Sequence, residues 1–253
     1  MKAAVKGGAF LITETQADDI FIPEEWNEEQ KMIAQTCQDF IDSEVMPRLD
    51  EIDSMKHPEI MVELMDKAGA LGLLGTSVPE ALGGFGLDFN TTMLVAEVCG
   101  AGYSFAVAMS AHSGIGTLPI LYYGNDEQRQ KYIPKLATGE WKAAYCLTEP
   151  DSGSDANSGK TKATLSDDGK YYSITGQKMW ITNGGFADVF VVFAKIDDDK
   201  NLTAFIVEKD FGGITMNEEE KKMGIKGSST RQIFFNETKV PVENMLYAVS
   251  YTH

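Results

Sequence analysis

The sequence predicts an α+β protein in which an all-helical domain is followed by an antiparallel β-barrel or β-sandwich domain. Apolar residues recur at three- and four-residue spacing through the first half of the chain, as they do along one face of a helix. After Trp141 the pattern changes to short runs of β-branched and aromatic residues separated by turn residues. Because no helical pattern separates these runs, antiparallel pairing is favoured.

Two amphipathic helices are predicted near the start of the chain. Residues 22–27 place a proline and two glutamates where a helix N-terminus favours them. An apolar face then runs from Met32 to Val45 and ends before Pro47. A second helix begins near Pro58 and ends in the glycine-bearing residues 69–75.

The rest of the helical half is more apolar. Residues 78–87 are rich in glycine and predict a loop, residues 91–98 and 105–109 predict buried helix, and residues 126–132 begin a short polar helix. Residues 98–125 contain no Asp, Glu, Lys or Arg, but their glycines, serines and proline favour a helix buried within the domain over a membrane span.

Five strands are predicted after the helices. Residues 161–165 and 171–174 are joined by the turn signal Asp167-Asp168-Gly169, and further runs follow at residues 189–194, 202–207 and 232–235. The predicted organisation is an N-terminal extension (1–25), a helical domain (26–142), a β domain (143–246) and a divergent tail (247–253).

The composition excludes several classes of protein. A formal charge of −16 argues against nucleic-acid binding, which requires a basic face. The N-terminus has neither the apolar core of a signal peptide nor the character of a transit peptide, so a cytoplasmic protein is expected. The three histidines have no metal-ligand spacing, and no metal site is predicted. His112, within an apolar segment, is predicted to be a hydrogen-bonded core residue.

The cysteines are expected to be structural. They are far apart and form no CxxC pair, which favours buried thiols in a reducing compartment over disulfides. The three residues are Cys37, Cys99 and Cys146.

Two segments of the β half could contact a ligand. Residues 145–155 form a strand end and a turn rich in hydroxyls and glycine, in which successive amides can bind an anion. Residues 177–185 place Trp180 and Thr182 on alternate strand positions, which would suit a planar ligand. Taken singly, the first segment is better explained as a polar surface turn, and Trp180 in the second is better explained as part of a barrel core. Residues 154–161 end like a P-loop, but Ser154 replaces the first glycine and a strand follows, so this match is attributed to chance.

The segments become informative in combination. Residues 78–86, 145–155, 180–185, 223–231 and 240–246 resemble the acyl-CoA dehydrogenase family, in its order and at its spacing. The resemblance covers residues 20–246, and residues 6–11 are more similar to the very-long-chain branch than to the medium- or short-chain branches.

The resemblance implies a fold and an activity. It implies a helical N-terminal domain, a β-barrel middle domain and a C-terminal four-helix domain that together bind FAD and oxidise an acyl-CoA thioester to the trans-2-enoyl-CoA in fatty acid β-oxidation. A glutamate would remove the α-proton while hydride passes from the β-carbon to the flavin. An electron-transfer flavoprotein would accept the electrons, and full-length members would be homo-oligomers.

The resemblance also implies which residues form the site. Thr148 would lie at the isoalloxazine edge, Trp180 would pack on the ring system, and Thr182 would bind near N5. Ser154 would contact the diphosphate and also the coenzyme A portion of the substrate, and residues 94–123 would line the acyl chain, with a plain core role equally possible for them. The implied cofactor-binding residues are Tyr145, Leu147, Thr148, Gly153, Ser154, Trp180, Ile181 and Thr182.

No catalytic residue is assigned. In the family the base, further flavin contacts and the main oligomer interface follow the position of Leu246, where this sequence diverges. The chain is therefore expected to be truncated before the base and impaired as a catalyst when alone. One alternative is a non-catalytic binding or assembly module, or a split subunit that needs a separate helical partner. Another is an acyl-CoA oxidase or a nitroalkane-oxidising relative, which shares the architecture.

Overall fold

The structure is a computed structural model that describes residue 5 and residues 7–246, and the predicted tail at 247–253 lies outside these residues. Helices are followed by a β-sheet, which confirms the predicted order. The α-helices of the described part are α1 (Glu28–Phe40), α2 (Leu49–Ser54), α3 (Glu59–Ala70), α4 (Phe89–Cys99), α5 (Ser104–Ser110), α6 (Leu118–Tyr123) and α7 (Asp126–Thr138). Its β-strands are β1 (Ala143–Cys146), β2 (Lys162–Leu165), β3 (Tyr171–Thr182), β4 (Val189–Ile196), β5 (Thr203–Glu208), β6 (Ile214–Met216) and β7 (Thr230–Pro241).

The first predicted helix is confirmed as α1, and side-chain capping determines where it begins. Asn27 Oδ1 accepts the Gln30 amide at 2.8 Å, and Gln30 Oε1 accepts the Asn27 amide at 3.0 Å. The buried Gln30 side chain also donates to the Thr91 hydroxyl at 2.9 Å, so the cap joins α1 to α4. A π-helical turn, Ile41–Val45, leads to Pro47, which cannot donate a helical hydrogen bond.

The uncharged segment forms α5, a π-helical turn (Ala111–Gly116) and α6 in succession. Within the described residues, Ser104–Tyr123 is the one helical stretch long and apolar enough to cross a membrane, and half of its most apolar window is buried. His112, at its centre, is fully buried; Nδ1 accepts the Ala143 amide at 3.0 Å and Nε2 donates to the Leu136 carbonyl at 2.9 Å. The predicted core histidine is therefore confirmed, and this segment packs against α7 and β1.

The β-sheet is mixed. The strand order is β1-β4-β2-β3-β7-β6, with β5 on β4. The predicted antiparallel pairing holds for β2–β3, β3–β7, β4–β5 and β6–β7, whereas β1–β4 and β2–β4 are parallel. Residues 147–188 act as a crossover that returns the chain to the same end of the sheet, so β4 runs beside β1 in the same direction.

Two strands are much longer than predicted, and one of them is β3, which continues to Thr182 beyond the predicted residues 171–174. The hairpin from β2 to β3 is confirmed, with Leu165 opposite Tyr172. β7 extends well beyond the predicted residues 232–235, because it pairs with the long β3. The sequence pattern missed β6, since three residues are too few to display an alternation. Helix α7 is longer than predicted and passes through Pro134.

The core consists of clusters in the helical part, in the sheet, and between them. Cys37 and Cys99 lie in the helical cluster and Cys146 lies in the sheet cluster, all as free, buried thiols, as predicted. Burial raises the pKa of the Cys146 thiol to about 12, which keeps it protonated and unreactive at neutral pH.

Candidate functional site

The first predicted half of the site follows β1. Tyr145 is half-buried, and its ring contacts that of Phe193 edge to face, with 5.0 Å between the ring centroids. Leu147 and Thr148 are half-buried just beyond the end of the strand. Leu147 and Thr148 therefore lie at the edge of the sheet, where β1 ends.

The turn that follows has a fixed inner side and an open outer side. Glu149 and Ser152 exchange backbone hydrogen bonds of 2.9 and 3.1 Å, and the buried Ser152 hydroxyl lies 2.9 Å from the Asp155 carbonyl, to which it donates. Gly153 and Ser154 are exposed, and a Cβ at Gly153 would meet no atom within 4 Å. The backbone of these two residues is therefore accessible to a ligand.

The second predicted half of the site lies on a β-bulge in β3. Between Lys178 and Ile181 the strand advances three residues while β7 advances two. This extra residue reverses the side-chain alternation, so Trp180 is 61% exposed while the Ile181 side chain is 2% exposed. Trp180 has a φ of +58°, a strained value for a residue other than glycine. Thr182, half-buried, pairs with Thr230 beyond the bulge.

Backbone contacts bring the two halves together. The Met179 amide donates to the Thr148 carbonyl at 2.8 Å, and Lys178 Nζ donates to the Leu147 carbonyl at 3.1 Å. Leu147 and Thr148 therefore lie against the bulge that exposes Trp180. Ser154 lies on the exposed side of the turn, whereas Ile181 is buried and presents almost no accessible surface to a ligand.

The bulge also adjoins the helical part of the molecule. The buried Asn183 carboxamide donates to the carbonyls of Ala108 on α5, at 2.9 Å, and Ala143 on β1, at 3.3 Å. Asn183 has a φ of +63°, and this backbone conformation turns the chain sharply after Thr182. The candidate site consequently lies at the junction of helices and sheet.

Sequence reasoning missed two residues of this region. Lys178 and Glu149 form an ion pair of 2.7 Å whose side chains are 0% and 5% exposed. The signal in the sequence was a lysine at an inward position of a strand, aligned with the buried Ile174 by the two-residue period. A lysine in that position requires a buried partner.

A cavity of about 200 Å³ opens between α4, α5 and the π-helical turn. Its wall includes the residues Ala96, Cys99, Ala106, Met109 and Leu118. The cavity lies largely within the segment whose helices were expected to line an acyl chain. Its surface is mostly apolar, which suits an aliphatic ligand, although Thr92, Ser110 and Ser113 also line it.

Comparison with known proteins identifies the fold and its relatives. Residues 27–140 match the model of the acyl-CoA dehydrogenase N-terminal domain, and residues 144–238 match that of the acyl-CoA dehydrogenase middle domain. The chain belongs to the acyl-CoA dehydrogenase family. It is 51% identical over 248 residues to a probable acyl-CoA dehydrogenase of Bacillus subtilis, an alignment that covers 98% of this chain and 41% of that protein.

Other acyl-CoA dehydrogenases show the same partial coverage. The human mitochondrial very-long-chain enzyme is 48% identical over 185 residues, which cover 70% of this chain and 28% of the enzyme. A crystal structure of an acyl-CoA dehydrogenase from Bacillus anthracis complexed with FAD matches with a TM-score of 0.92 and 52% identity, over 96% of this chain and 42% of that one. The chain thus spans less than half the length of these relatives.

Proposed function

We propose that this chain binds FAD where the end of β1 meets the bulge of β3. The single observation that carries the proposal is the hydrogen bond from the Met179 amide to the Thr148 carbonyl, which joins the two motif segments into one surface. The residues present fit such a cofactor, because the exposed indole of Trp180 offers a flat apolar face, and Thr148 and Thr182 offer hydroxyls for a polar ring edge. The exposed backbone at residues 153–154 would receive the diphosphate.

The proposed reaction is the α,β-dehydrogenation of an acyl-CoA thioester to the trans-2-enoyl-CoA. FAD, when bound, supplies the two-electron redox chemistry of such a reaction. This chain would contribute binding and orientation: Ser154 would contact the coenzyme A portion, and the cavity lined by Ala96, Ala106 and Met109 would enclose the acyl chain. The apolar wall would also exclude water from the reacting carbons.

Residues 20–246 carry the family motifs. We propose that the catalytic base lies outside them, in a further segment. The coverage of 41% of the Bacillus subtilis relative supports this division. We propose an electron-transfer flavoprotein as the acceptor of the electrons, and this proposal is supported by the family membership of the chain.

Replacing Trp180 by alanine is expected to weaken FAD binding at least about fivefold, because an aromatic contact contributes about 1 kcal/mol beyond its area. The measurement is a fluorescence titration of FAD into the purified chain. The melting temperature should change little, since the indole is mostly exposed. Tyr122→Ala removes an aromatic side chain that is 63% exposed on α6 and serves as the matched control. An unchanged dissociation constant in Trp180→Ala would contradict the proposed site.

A polypeptide of these 253 residues, assayed alone with FAD and an acyl-CoA, is expected to reduce an artificial electron acceptor at least about 10²-fold more slowly than the full-length Bacillus subtilis relative. The reason is that a positioned base contributes roughly 10²–10⁴-fold to such a rate. Turnover comparable with that of the relative would place the base within these residues. Recovery of activity on adding a separate helical polypeptide would instead identify the chain as a split subunit.

A further inference from the structure

The Lys178–Glu149 ion pair lies beneath the two halves of the proposed flavin site. Lys178 Nζ lies 2.7 Å from Glu149 Oε1 and donates a second hydrogen bond to the Leu147 carbonyl at 3.1 Å. Both partners belong to the segment that follows β1, whereas Lys178 itself belongs to β3. One buried ammonium group therefore joins the loop to the strand at two points.

The Glu149 carboxylate also closes the loop on itself. Its Oε2 accepts the Lys160 amide at 2.5 Å, and the Thr161 amide lies 3.1 and 3.3 Å from its two oxygens. Residues 160 and 161 lead directly into β2. The carboxylate thus joins the start and the end of the loop into a ring, and Lys178 attaches that ring to β3.

Burying an ion pair costs desolvation free energy, which the attraction between the two charges often does not offset. Burial lowers the pKa of Lys178, against the opposing effect of Glu149. Burial raises the pKa of Glu149, but the hydrogen bonds from Lys178 and Thr161 outweigh it and leave that pKa below its usual value, so the carboxylate stays ionised. Apolar residues in place of such a pair are often as stabilising or more so, which favours a role in geometry over a role in stability.

The Lys178–Glu149 ion pair also lies next to the β-bulge that exposes the Trp180 indole. Trp180 is two residues beyond Lys178, and the intervening Met179 donates its amide to Thr148, between the two loop residues that Lys178 contacts. The position of the loop and the position of the bulge are consequently set by the same residue.

We propose that Lys178 and Glu149 are positioning residues that hold the turn carrying Gly153 and Ser154 against the bulge carrying Trp180, so that the flavin surface is assembled before the cofactor binds. This inference rests on the proposed binding of FAD. Neither side chain is expected to touch the cofactor, because both are buried below that surface.

The test compares the single variants Lys178→Met and Glu149→Gln with the double variant Lys178→Met/Glu149→Gln. Each single variant leaves one buried group without its partner and is expected to lower the melting temperature. The double variant removes both charges and is expected to restore the melting temperature. The probe is FAD, and the readouts are its dissociation constant and the visible absorption spectrum of the bound flavin, which reports on the surroundings of the ring.

The double variant is expected to bind FAD about tenfold more weakly or worse, with an altered spectrum, despite its restored melting temperature. The control is Lys160→Met/Asp151→Asn, which removes an exposed ion pair of the same loop, with side chains 75% and 70% exposed, and should leave binding unchanged. Wild-type affinity and spectrum in the double variant would overturn the positioning role and leave the flavin site standing. A wild-type chain that binds no FAD would overturn both.

Discussion

Replacing Gly69 by alanine is expected to lower the free energy of unfolding by about 3 kcal/mol. Gly69 lies in the last turn of α3, where the C-terminal end of α7 crosses it. A Cβ at Gly69 would lie 2.1 Å from the Thr138 carbonyl oxygen and 2.8 Å from its carbonyl carbon. These are backbone atoms, so they cannot move aside as a flexible side chain would. Urea denaturation of the purified chain measures the effect.

Helix propensity alone predicts the opposite sign, because alanine is favoured over glycine by about 1 kcal/mol within a helix. Gly100→Ala is the matched control: its φ of −54° is helical, and a Cβ there would meet nothing within 4 Å. This variant should be as stable as the wild type or slightly more so. If Gly69→Ala were equally stable, the close approach of α3 and α7 would be wrong.

Stability is expected to fall by about 3 kcal/mol as the pH drops from about 6.5 to about 4, through the titration of His112. Burial lowers the pKa of this imidazole from 6.5 to about 4, a hydrogen bond to Leu136 opposes the shift, and the charge of Lys142 adds to it. Nδ1 must be unprotonated to accept the Ala143 amide. Between these pH values the unfolded chain binds the proton and the folded chain does not, so acidification favours unfolding.

The measurement is the free energy of unfolding at several pH values between 7 and 4 for the wild type and for His112→Gln. The variant should be less stable at pH 7, because two buried hydrogen bonds are disturbed, but its loss of stability on acidification should be smaller by about 3 kcal/mol. His57→Gln, which removes a histidine whose side chain is 56% exposed, is the control for the loss of an imidazole that is not buried. Parallel profiles for the wild type and His112→Gln would contradict the buried, neutral imidazole, and an NMR titration of His112 would test the pKa directly.

The order of the helices and strands can be predicted from the sequence because its causes are local. The apolar spacing of α1, the capping residue Asn27 and the β-branched run of β4 each act within a few residues. The direction of β1 relative to β4 was not readable, because it depends on a crossover of some 40 residues that no local pattern encodes. β6 was missed because it is an edge strand of three residues.

The sequence by itself determined which segments form the candidate site, since the residues that resemble the family motifs include Thr148, Ser154, Trp180 and Thr182. Only the tertiary structure decided which of these side chains face outward. The bulge in β3 shifts the strand by one residue, and a shift of one residue exchanges the two faces of a strand, so Trp180 is exposed and Ile181 is buried. The tertiary structure also decided that Lys178 is buried, because Glu149, 29 positions earlier in the chain, reaches it only after folding.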